Sequence, residues 1–156
     1  MVHNGVRQGG VLSPHIFAVY IDDLIKRLHR SNYGCFVRSA CVNVFLYADD
    51  IILLAPSVNA LMRLLRLVED ELAFLDMALN ASKSVIIRYG PRFDSDCSEI
   101  STNAGDCLRS VSTCRYVGVF LVASRKFKIS LDNNKKSFYR HLMLFLEKLA
   151  AWLPRK

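Results

Sequence analysis

The sequence predicts an α+β fold, in which a small antiparallel sheet has helices packed on one face. Two apolar runs rich in β-branched and aromatic residues, 42–47 and 51–55, flank Ala48, Asp49 and Asp50, which indicates a β-hairpin with carboxylates at its tip. Apolar residues recur at helical spacing in three segments, 14–30, 57–79 and 133–152. A chain of 156 residues buries roughly 70% of its unfolded surface on folding, so one substantial core is expected.

The first stretch is a glycine-rich loop that leads into the first helix. Residues 5–14 read GVRQGGVLSP, in which Ser13 as helix cap and Pro14 in the first turn are start signals. Free backbone N–H groups at the positive end of this helix would suit a phosphate or a base. A plain flexible loop is the alternative. Asp22 and Asp23, further along the helix, are expected to be exposed.

The hairpin is expected to lie in the core. A connector, residues 31–41 with turn residues Asn32 and Gly34, leads into it. Adjacent carboxylates at the end of buried strands would repel by roughly 4 kcal/mol if about 4 Å apart at an effective dielectric near 20. A divalent cation, Mg²⁺ or Mn²⁺, is therefore predicted at Asp49 and Asp50. The alternative is an ordinary turn with both side chains in water.

The second helix, 57–79, is predicted to lie on the sheet, with its charged residues on a solvated face. These residues are Arg63, Arg66, Glu69, Asp70 and Glu71. A turn over residues 80–84 carries Lys83 and leads into a strand at 85–89.

The remaining sequence predicts a loop, a hairpin and a helix. Residues 90–107 are polar and are typical of a long exposed loop, with a short strand near Ile100. Strands at 116–122 and 127–131 are expected to form a hairpin with a basic turn. The last helix is expected over 133–152.

The net charge of +7 is unevenly distributed. Residues 1–108 carry 10 basic and 12 acidic side chains, whereas residues 109–156 carry 11 basic and 2 acidic ones. The basic third of the chain predicts a polyanionic partner. Solvated Lys and Arg side chains on helix faces are the alternative.

Composition disfavours several classes of protein. The five cysteines form no CxxC pair, so neither a zinc site nor a disulfide framework is predicted. No apolar run reaches the roughly 18 residues of a membrane span. Polar, glycine-rich sequence follows Met1, where a signal peptide would be apolar. The chain is therefore expected to be intracellular, in the nucleus or the cytoplasm, without a membrane partner.

Four blocks of sequence resemble, in the correct order, the reverse transcriptase domain of non-LTR (LINE-type) retrotransposons. The blocks are residues 5–14, similar to the family's motif B; Tyr47-Ala48-Asp49-Asp50, similar to motif C; Asn80-Ala81-Ser82-Lys83, similar to motif D; and Tyr116-Val117-Gly118, similar to motif E, the primer grip. The first two blocks are specific, whereas the other two are short and gain weight from their order. The resemblance covers about residues 3–122 and implies a polymerase palm with RNA-directed DNA polymerase activity, a nucleotidyl transfer.

The resemblance also implies roles for individual residues. Asp49 would bind both Mg²⁺ (or Mn²⁺) ions of a two-metal displacement, and Asp50 would support the site. Lys83 would assist the departure of pyrophosphate, although a solvated lysine is the alternative. Tyr116 and Gly118 would position the primer strand. The residues implied to contact the nucleotide or the template are Gln8, Gly9, Ser13, Pro14, Tyr47 and Ala48. The implied partners of the intact enzyme are an RNA template, a DNA primer and a dNTP.

The family pattern is incomplete in this chain. Motif A, which supplies a further metal-binding aspartate, lies upstream of motif B, and only four residues precede Gly5. We therefore expect an incomplete palm over 1–122 and the start of a thumb over 123–156. The chain would lack the N-terminal part of the polymerase and would be inactive alone. It would be a truncated retrotransposon product or a mispredicted reading frame. One alternative is a non-catalytic nucleic-acid-binding remnant or domesticated module. Another is a chain that aggregates because part of its sheet is unpaired.

Overall fold

The computed structural model describes residues 12–152, and it describes their side chains except at 133 and 145–152. Contacts divide the chain into two compact units, one of Met1–Ser84 with Ser98–Leu108 and one of Val85–Cys97 with Arg109–Lys156. Both contain helix and strand, so the predicted mixed α+β class is confirmed. Within the part of the chain described, no helix has the length and apolar character needed to span a membrane.

From residue 12 onward, where the structure is described, the first unit contains two helices and two β-hairpins. Its elements, in chain order, are α1 (Ser13–Arg30), β1 (Cys35–Val37), β2 (Ala40–Val42), β3 (Val44–Tyr47), β4 (Asp50–Leu53) and α2 (Val58–Phe74). β1 pairs with β2 and β3 with β4, each as a separate antiparallel two-stranded sheet. The predicted connector at 31–41 is therefore wrong in its second half, which forms most of the first hairpin. Its turn includes Arg38 at a positive φ of 58°, a conformation for which arginine gives no sequence signal.

The core of the first unit lies where the two helices meet one face of β3 and β4. Seven aliphatic side chains are each 7% exposed or less. They are Ile21, Leu24 and Leu28 from α1, Val44 from β3, and Leu64, Val68 and Leu72 from α2. Fully burying a side chain of this kind contributes about 1.5–3 kcal/mol relative to leaving it in water. The predicted packing of these helices on one face of the hairpin is confirmed.

The second helix ends at Phe74, although the apolar spacing predicted that it would continue to Leu79. Asp76 adopts a left-handed conformation (φ 57°), and the backbone N–H of Met77 donates to the carbonyl oxygen of Leu72 over 2.8 Å. These are features of a Schellman helix end. Leu79 still packs against the core, so its side chain keeps the apolar pattern after the backbone has left the helix.

The prediction of a solvated charged face on α2 is wrong at Glu71. This side chain is buried (8% exposed) and forms an ion pair with Arg27 of α1. Arg63, Arg66 and Asp70 are exposed, as predicted. A buried carboxylate requires a counter-charge or hydrogen bonds to offset its lost hydration, and Arg27 supplies that charge.

Residues 90–107 were predicted to form a long exposed loop, but the part from residue 98 onward packs in the first unit. Residues 98–108 belong to the first unit, in which Ile100 is 1% exposed. The backbone N–H of Asn103 donates to Oε1 of Glu69 on α2 over 2.9 Å. An apolar anchor and a charge-assisted hydrogen bond therefore hold this segment in the first unit.

Up to residue 152, the last one described, the second unit contains five short strands and one helix. These are β5 (Val85–Ile86), β6 (Arg109–Ser110), β7 (Thr113–Tyr116), β8 (Val119–Val122), β9 (Lys128–Ser130) and α3 (Asp132–Trp152). β7, β8 and β9 form an antiparallel sheet, whereas β5 and β6 pair in parallel. The parallel pair of β5 and β6 was not predicted. The predicted hairpin is present as β8 and β9, and the last helix begins one residue earlier than predicted.

Two predicted strands of the second unit are too long. The strand expected at 85–89 stops at Ile86, and the Arg88 guanidinium donates to the carbonyl oxygens of Arg92 and Ser95 over 2.9 and 3.2 Å, which holds the chain in a loop. The strand expected at 116–122 is interrupted by a two-residue turn between β7 and β8.

Replacing Arg27 with methionine is expected to lower the free energy of unfolding by about 1–3 kcal/mol, because Glu71 would stay buried without its counter-charge. Urea unfolding followed by circular dichroism measures the change. The matched control, Arg66→Met, removes an exposed arginine that forms no ion pair with a described residue. The double variant Arg27→Met/Glu71→Met should recover most of the loss. Equal losses for Arg27→Met and Arg66→Met would contradict this role for the ion pair.

Candidate functional site

The hairpin predicted to carry the carboxylates is present. β3 and β4 pair so that Val44 faces Leu53 and Tyr47 faces Asp50. Ala48 and Asp49 form the two-residue loop between them. The carboxylates of Asp49 and Asp50 are therefore at the tip of the hairpin.

The two faces of this hairpin have different environments. Val44 and Leu46 pack into the core, whereas the alternate residues Phe45 and Tyr47 are 52% and 60% exposed. Asp50, directly opposite Tyr47, lies on the exposed face. The strands were predicted to be buried, which is correct for one face and wrong for the other. Strand residues alternate between faces, so Asp50 shares a surface with two exposed aromatic rings.

Ala48 has a left-handed backbone conformation, with φ at 52°. A two-residue hairpin loop requires a positive φ at its first position. For a residue with a Cβ, this conformation costs about 1–2 kcal/mol. The turn places Asp49 next to β4 and leaves the methyl group of Ala48 exposed.

The two carboxylates are both exposed and form no hydrogen bond or ion pair with a residue of the described range 12–152. Within that range, no group of three or more His, Cys, Asp or Glu side chains could hold a metal ion. In bulk water the repulsion of two charges about 4 Å apart falls to about 1 kcal/mol. The prediction of a cation assumed that the two acids lie at a buried site, where their repulsion would need a counter-charge. That assumption is wrong, because water reaches both acids.

Lys83 lies in the turn predicted for it. Asn80 organises this turn, because its Oδ1 accepts hydrogen bonds from the Ser82 hydroxyl (2.7 Å) and from the Lys83 backbone N–H (3.2 Å). The Ser84 hydroxyl donates to the carbonyl oxygen of Asn80 over 2.9 Å. The Lys83 side chain is exposed and forms no ion pair with either hairpin carboxylate.

An open cavity of about 600 Å³ lies beside this turn. Its lining residues are Ala78, Leu79, Asn80, Ala81, Ser82, Asp106 and Cys107. The last two come from the segment 98–108, and no local pattern indicated that they would lie here. Neither Asp49 nor Lys83 lines this cavity, so it does not join the predicted catalytic groups.

Tyr116 and Gly118, the predicted primer-grip residues, lie at a turn in the second unit. Tyr116 ends β7 and pairs with Val119 of β8. Between them, Val117 and Gly118 both have positive φ, 44° and 80°, as in the type I′ turns of hairpins. This turn interrupts the strand predicted there, because the β-branched residues on either side of Gly118 favoured one continuous strand.

A second open cavity, of about 650 Å³, lies in the second unit beside this turn. It is lined by Arg115, Gly118, Phe120, Asn134, Ser137, Phe138 and His141. The Nδ1 of His141 is 2.7 Å from the carbonyl oxygen of Ser137, so Nδ1 carries the proton and donates. A guanidinium, an imidazole and two aromatic rings therefore border one groove.

The predicted residues of the glycine-rich loop are only partly described. Gln8 and Gly9 lie outside the described residues. Ser13 was predicted to be the cap of α1, but it is the first residue of the helix and Leu12 is the cap. Pro14 is in the first turn, as predicted.

Asp22 and Asp23 are exposed on α1, as predicted, and both contact Lys26, at 2.6 and 3.5 Å. The hydrogen bond from Lys26 to Asp22 is the main cause that raises the pKa of the Lys26 amine. These two acids therefore have a local partner on their own helix.

Known proteins resemble this chain over most of its length. A family model described as "Reverse transcriptase (RNA-dependent DNA polymerase)" matches residues 1–121. The chain is 28% identical over 131 residues to the Retrovirus-related Pol polyprotein from type-2 retrotransposable element R2DM of Drosophila melanogaster. This match covers 80% of this chain and 12% of the relative. It is 39% identical over 54 residues, 34% of this chain and 9% of the relative, to the Retrovirus-related Pol polyprotein from type-1 retrotransposable element R2 of Popillia japonica. A further match of that name from Popillia japonica is 33% identical over 87 residues, 55% of this chain and 12% of the relative.

The variant Asp49→Asn is expected to change the free energy of unfolding by less than about 0.5 kcal/mol, because the side chain is exposed and contacts no described residue. The measurement is urea unfolding. As a control, Leu24→Ala in the core should lower the free energy of unfolding by about 2–5 kcal/mol. A loss above about 1 kcal/mol for Asp49→Asn would show a structural role for this carboxylate.

Proposed function

Because the chain belongs to the reverse transcriptase family and resembles Pol polyproteins of R2 non-LTR retrotransposons, we propose that it presents two catalytic carboxylates of an RNA-directed DNA polymerase. The observation that carries this proposal is the exposed tip Tyr47-Ala48-Asp49-Asp50, on a hairpin whose other face is packed on two helices. Residues 1–122 would then be an incomplete palm and residues 123–156 the start of a thumb. The chain spans 12% or less of each of these relatives.

Divalent metal ions are generally required in this family, and we propose Mg²⁺ (or Mn²⁺) at Asp49 and Asp50. The donor set fits, because both carboxylates are exposed, free of ion pairs with described residues and made of the oxygen atoms that these ions prefer. When bound, the ions would activate the primer 3′-hydroxyl and stabilise the charge of the triphosphate.

The remaining work of the hairpin is to position these acids. The packing of Val44 and Leu46 fixes the hairpin against the helices. Cross-strand pairing then sets Asp50 opposite Tyr47, and the left-handed Ala48 holds Asp49 in the loop. In this proposal, Tyr47 and Ala48 border the primer terminus and the incoming nucleotide.

Other residues would contact nucleotide, template or primer. Lys83 would supply positive charge for the departing pyrophosphate, and its exposure and ordered turn support an accessible amine. Tyr116 and Gly118 would position the primer strand at the tip of their turn. In addition to the hairpin residues, four residues are proposed to contact the nucleotide or the template: Gln8, Gly9, Ser13 and Pro14.

A non-catalytic nucleic-acid-binding module is the second candidate function. The groove of the second unit supports it, since Arg115 can neutralise a phosphate and Phe120 and Phe138 offer apolar or stacking surface. Such a module would bind an RNA–DNA hybrid without using the hairpin acids.

Manganese is expected to bind the hairpin tip weakly, with a dissociation constant in the millimolar range, because two carboxylates alone do not complete the coordination of such an ion. In NMR spectra, Mn²⁺ should broaden the amide signals of Tyr47, Ala48, Asp49 and Asp50 first. The variant Asp49→Asn/Asp50→Asn should abolish this selective broadening, and the control Asp22→Asn should leave it unchanged. Broadening that survives the double substitution would contradict a metal site here.

Primer extension on an RNA template by the purified chain is expected to stay at background, because the described residues offer no third acidic ligand beside Asp49 and Asp50. Extension would be measured with Mg²⁺ and with Mn²⁺, using a complete reverse transcriptase as positive control. Extension above background that is lost in Asp49→Asn, but kept in the control Asp23→Asn, would show that the chain polymerises alone.

A further inference from the structure

The outer edge of β3 has no strand partner among the described residues. β3 and β4 form a sheet of two strands, and no other described strand pairs with either of them. Residues 39–48 contain no Asp, Glu, Lys, Arg, His or Pro. Edge strands are usually protected from other chains by a charged residue or a proline. β3 has neither, so its edge can accept another strand.

The hydrogen-bonding pattern of the hairpin shows which backbone groups point to this edge. The N–H of Leu54 donates to the carbonyl oxygen of Asn43 over 2.8 Å, so the odd-numbered residues of β3 bond to β4. In an antiparallel pair, the residues between them direct their N–H and C=O groups to the other side. Leu46 is such a residue, and its backbone groups therefore point to the outer edge.

Two aromatic rings flank Leu46 on the exposed face of the hairpin. Phe45 and Tyr47 are 52% and 60% exposed, whereas the Leu46 side chain packs toward the core on the opposite face. On the same exposed face, β4 presents Asp50, which is charged, and Ile52, which is only partly exposed. β3 is therefore the edge suited to apolar pairing.

We propose that the chain forms a two-fold dimer in which β3 pairs antiparallel with β3 of a second copy, with Leu46 opposite Leu46. In this register residues of the same face lie opposite one another, since strand side chains alternate. The two Leu46 residues exchange both backbone hydrogen bonds. Phe45 of each copy lies opposite the partner's Tyr47 in a non-hydrogen-bonded pair, where side chains approach most closely. The four exposed rings thus form one cluster.

Charge favours this pairing over pairing at β4. The two hairpin tips point in opposite directions, and Asp49 is three residues from the axis, so its two copies lie roughly 20 Å apart at about 3.3 Å per residue. This distance exceeds the Debye length of about 8 Å at physiological salt. Pairing of β4 about Ile51 would make the two Asp50 residues diagonal neighbours, about 7–8 Å apart. The dimer therefore closes at β3 and does not grow at β4.

The area of contact predicts a weak dimer. A buried aromatic side chain covers roughly 150–250 Å², so four half-exposed rings contribute on the order of 400 Å². With the paired backbones, the interface stays below about 1,200 Å², which is typical of transient complexes. We expect a dissociation constant of about 10–500 µM. The dimer does not use the carboxylates of Asp49 and Asp50, so it is independent of the proposed function.

Sedimentation velocity of the full chain, at concentrations from about 5 to 500 µM, measures the association. Phe45→Ser/Tyr47→Ser should weaken it at least about tenfold, because it removes the ring cluster. The matched control, Phe74→Ser/Tyr139→Ser, removes the same residue types outside the hairpin, where they are 83% and 61% exposed. The control should stay within about twofold of the unmodified chain.

Three outcomes of sedimentation would overturn the proposal. The first is an unmodified chain that stays monomeric over the whole range, and the second is equal weakening by the two double variants. The third is growth of the unmodified chain into particles of no fixed size, because a two-fold pair closes at two copies.

Cysteine crosslinking tests the register without weakening the pair through lost folding. Phe45→Cys and Tyr47→Cys chains are mixed and oxidised, and mass spectrometry locates the disulfide. The mixed pair should crosslink at least about fivefold faster than either variant alone, because opposite Cβ atoms lie about 4.5–5.5 Å apart and diagonal residues about 7–8 Å apart. The unmodified chain, with its five cysteines, gives the background. A mixed pair that crosslinks no faster than the separate variants would overturn the proposal.

Discussion

One-sided packing of the β3–β4 hairpin is the constraint on which the first unit depends. Val44 and its neighbours bury one face of the hairpin against α1 and α2, while Phe45, Tyr47 and Asp50 face solvent. Because side chains alternate along a strand, a shift of one residue in register would turn the aliphatic set outward. The aliphatic core therefore decides which way the tip carboxylates face. The exposure of Asp49 and Asp50 thus depends on residues that carry no charge.

Much of the fold was predictable because periodicity and cap residues are local signals. The Leu and Ile spacing predicted both helices of the first unit, and the Ser57 side chain accepts a hydrogen bond from Ala60 at the start of α2. The failures occurred where backbone conformation departs from residue preference. Asp76 and Val117 have positive φ without being glycine. One helix therefore ended early and one strand was broken where the apolar pattern favoured continuation.

The candidate site was predictable in its local parts, since Tyr47 to Asp50 and Asn80 to Lys83 are contiguous in sequence. Its surroundings were not predictable in the same way. The Arg27–Glu71 ion pair joins residues 44 positions apart, and the Glu69–Asn103 hydrogen bond joins residues 34 apart. No local pattern indicates which helix faces will meet. Exposure of the hairpin acids likewise follows from packing at Val44 and Leu46, and not from the acids themselves.

The chain passes between its two units at residues 84–85, 97–98 and 108–109, so each unit is assembled from separate stretches of sequence. A single genetic crossover between residues 85 and 108 would therefore make both units chimeric, whereas one on either side of this interval would make only one unit chimeric. Recombination between diverged copies of the coding sequence would be tolerated better outside this interval than inside it. The order of the segments thus favours inheritance of residues 84–109 as one block.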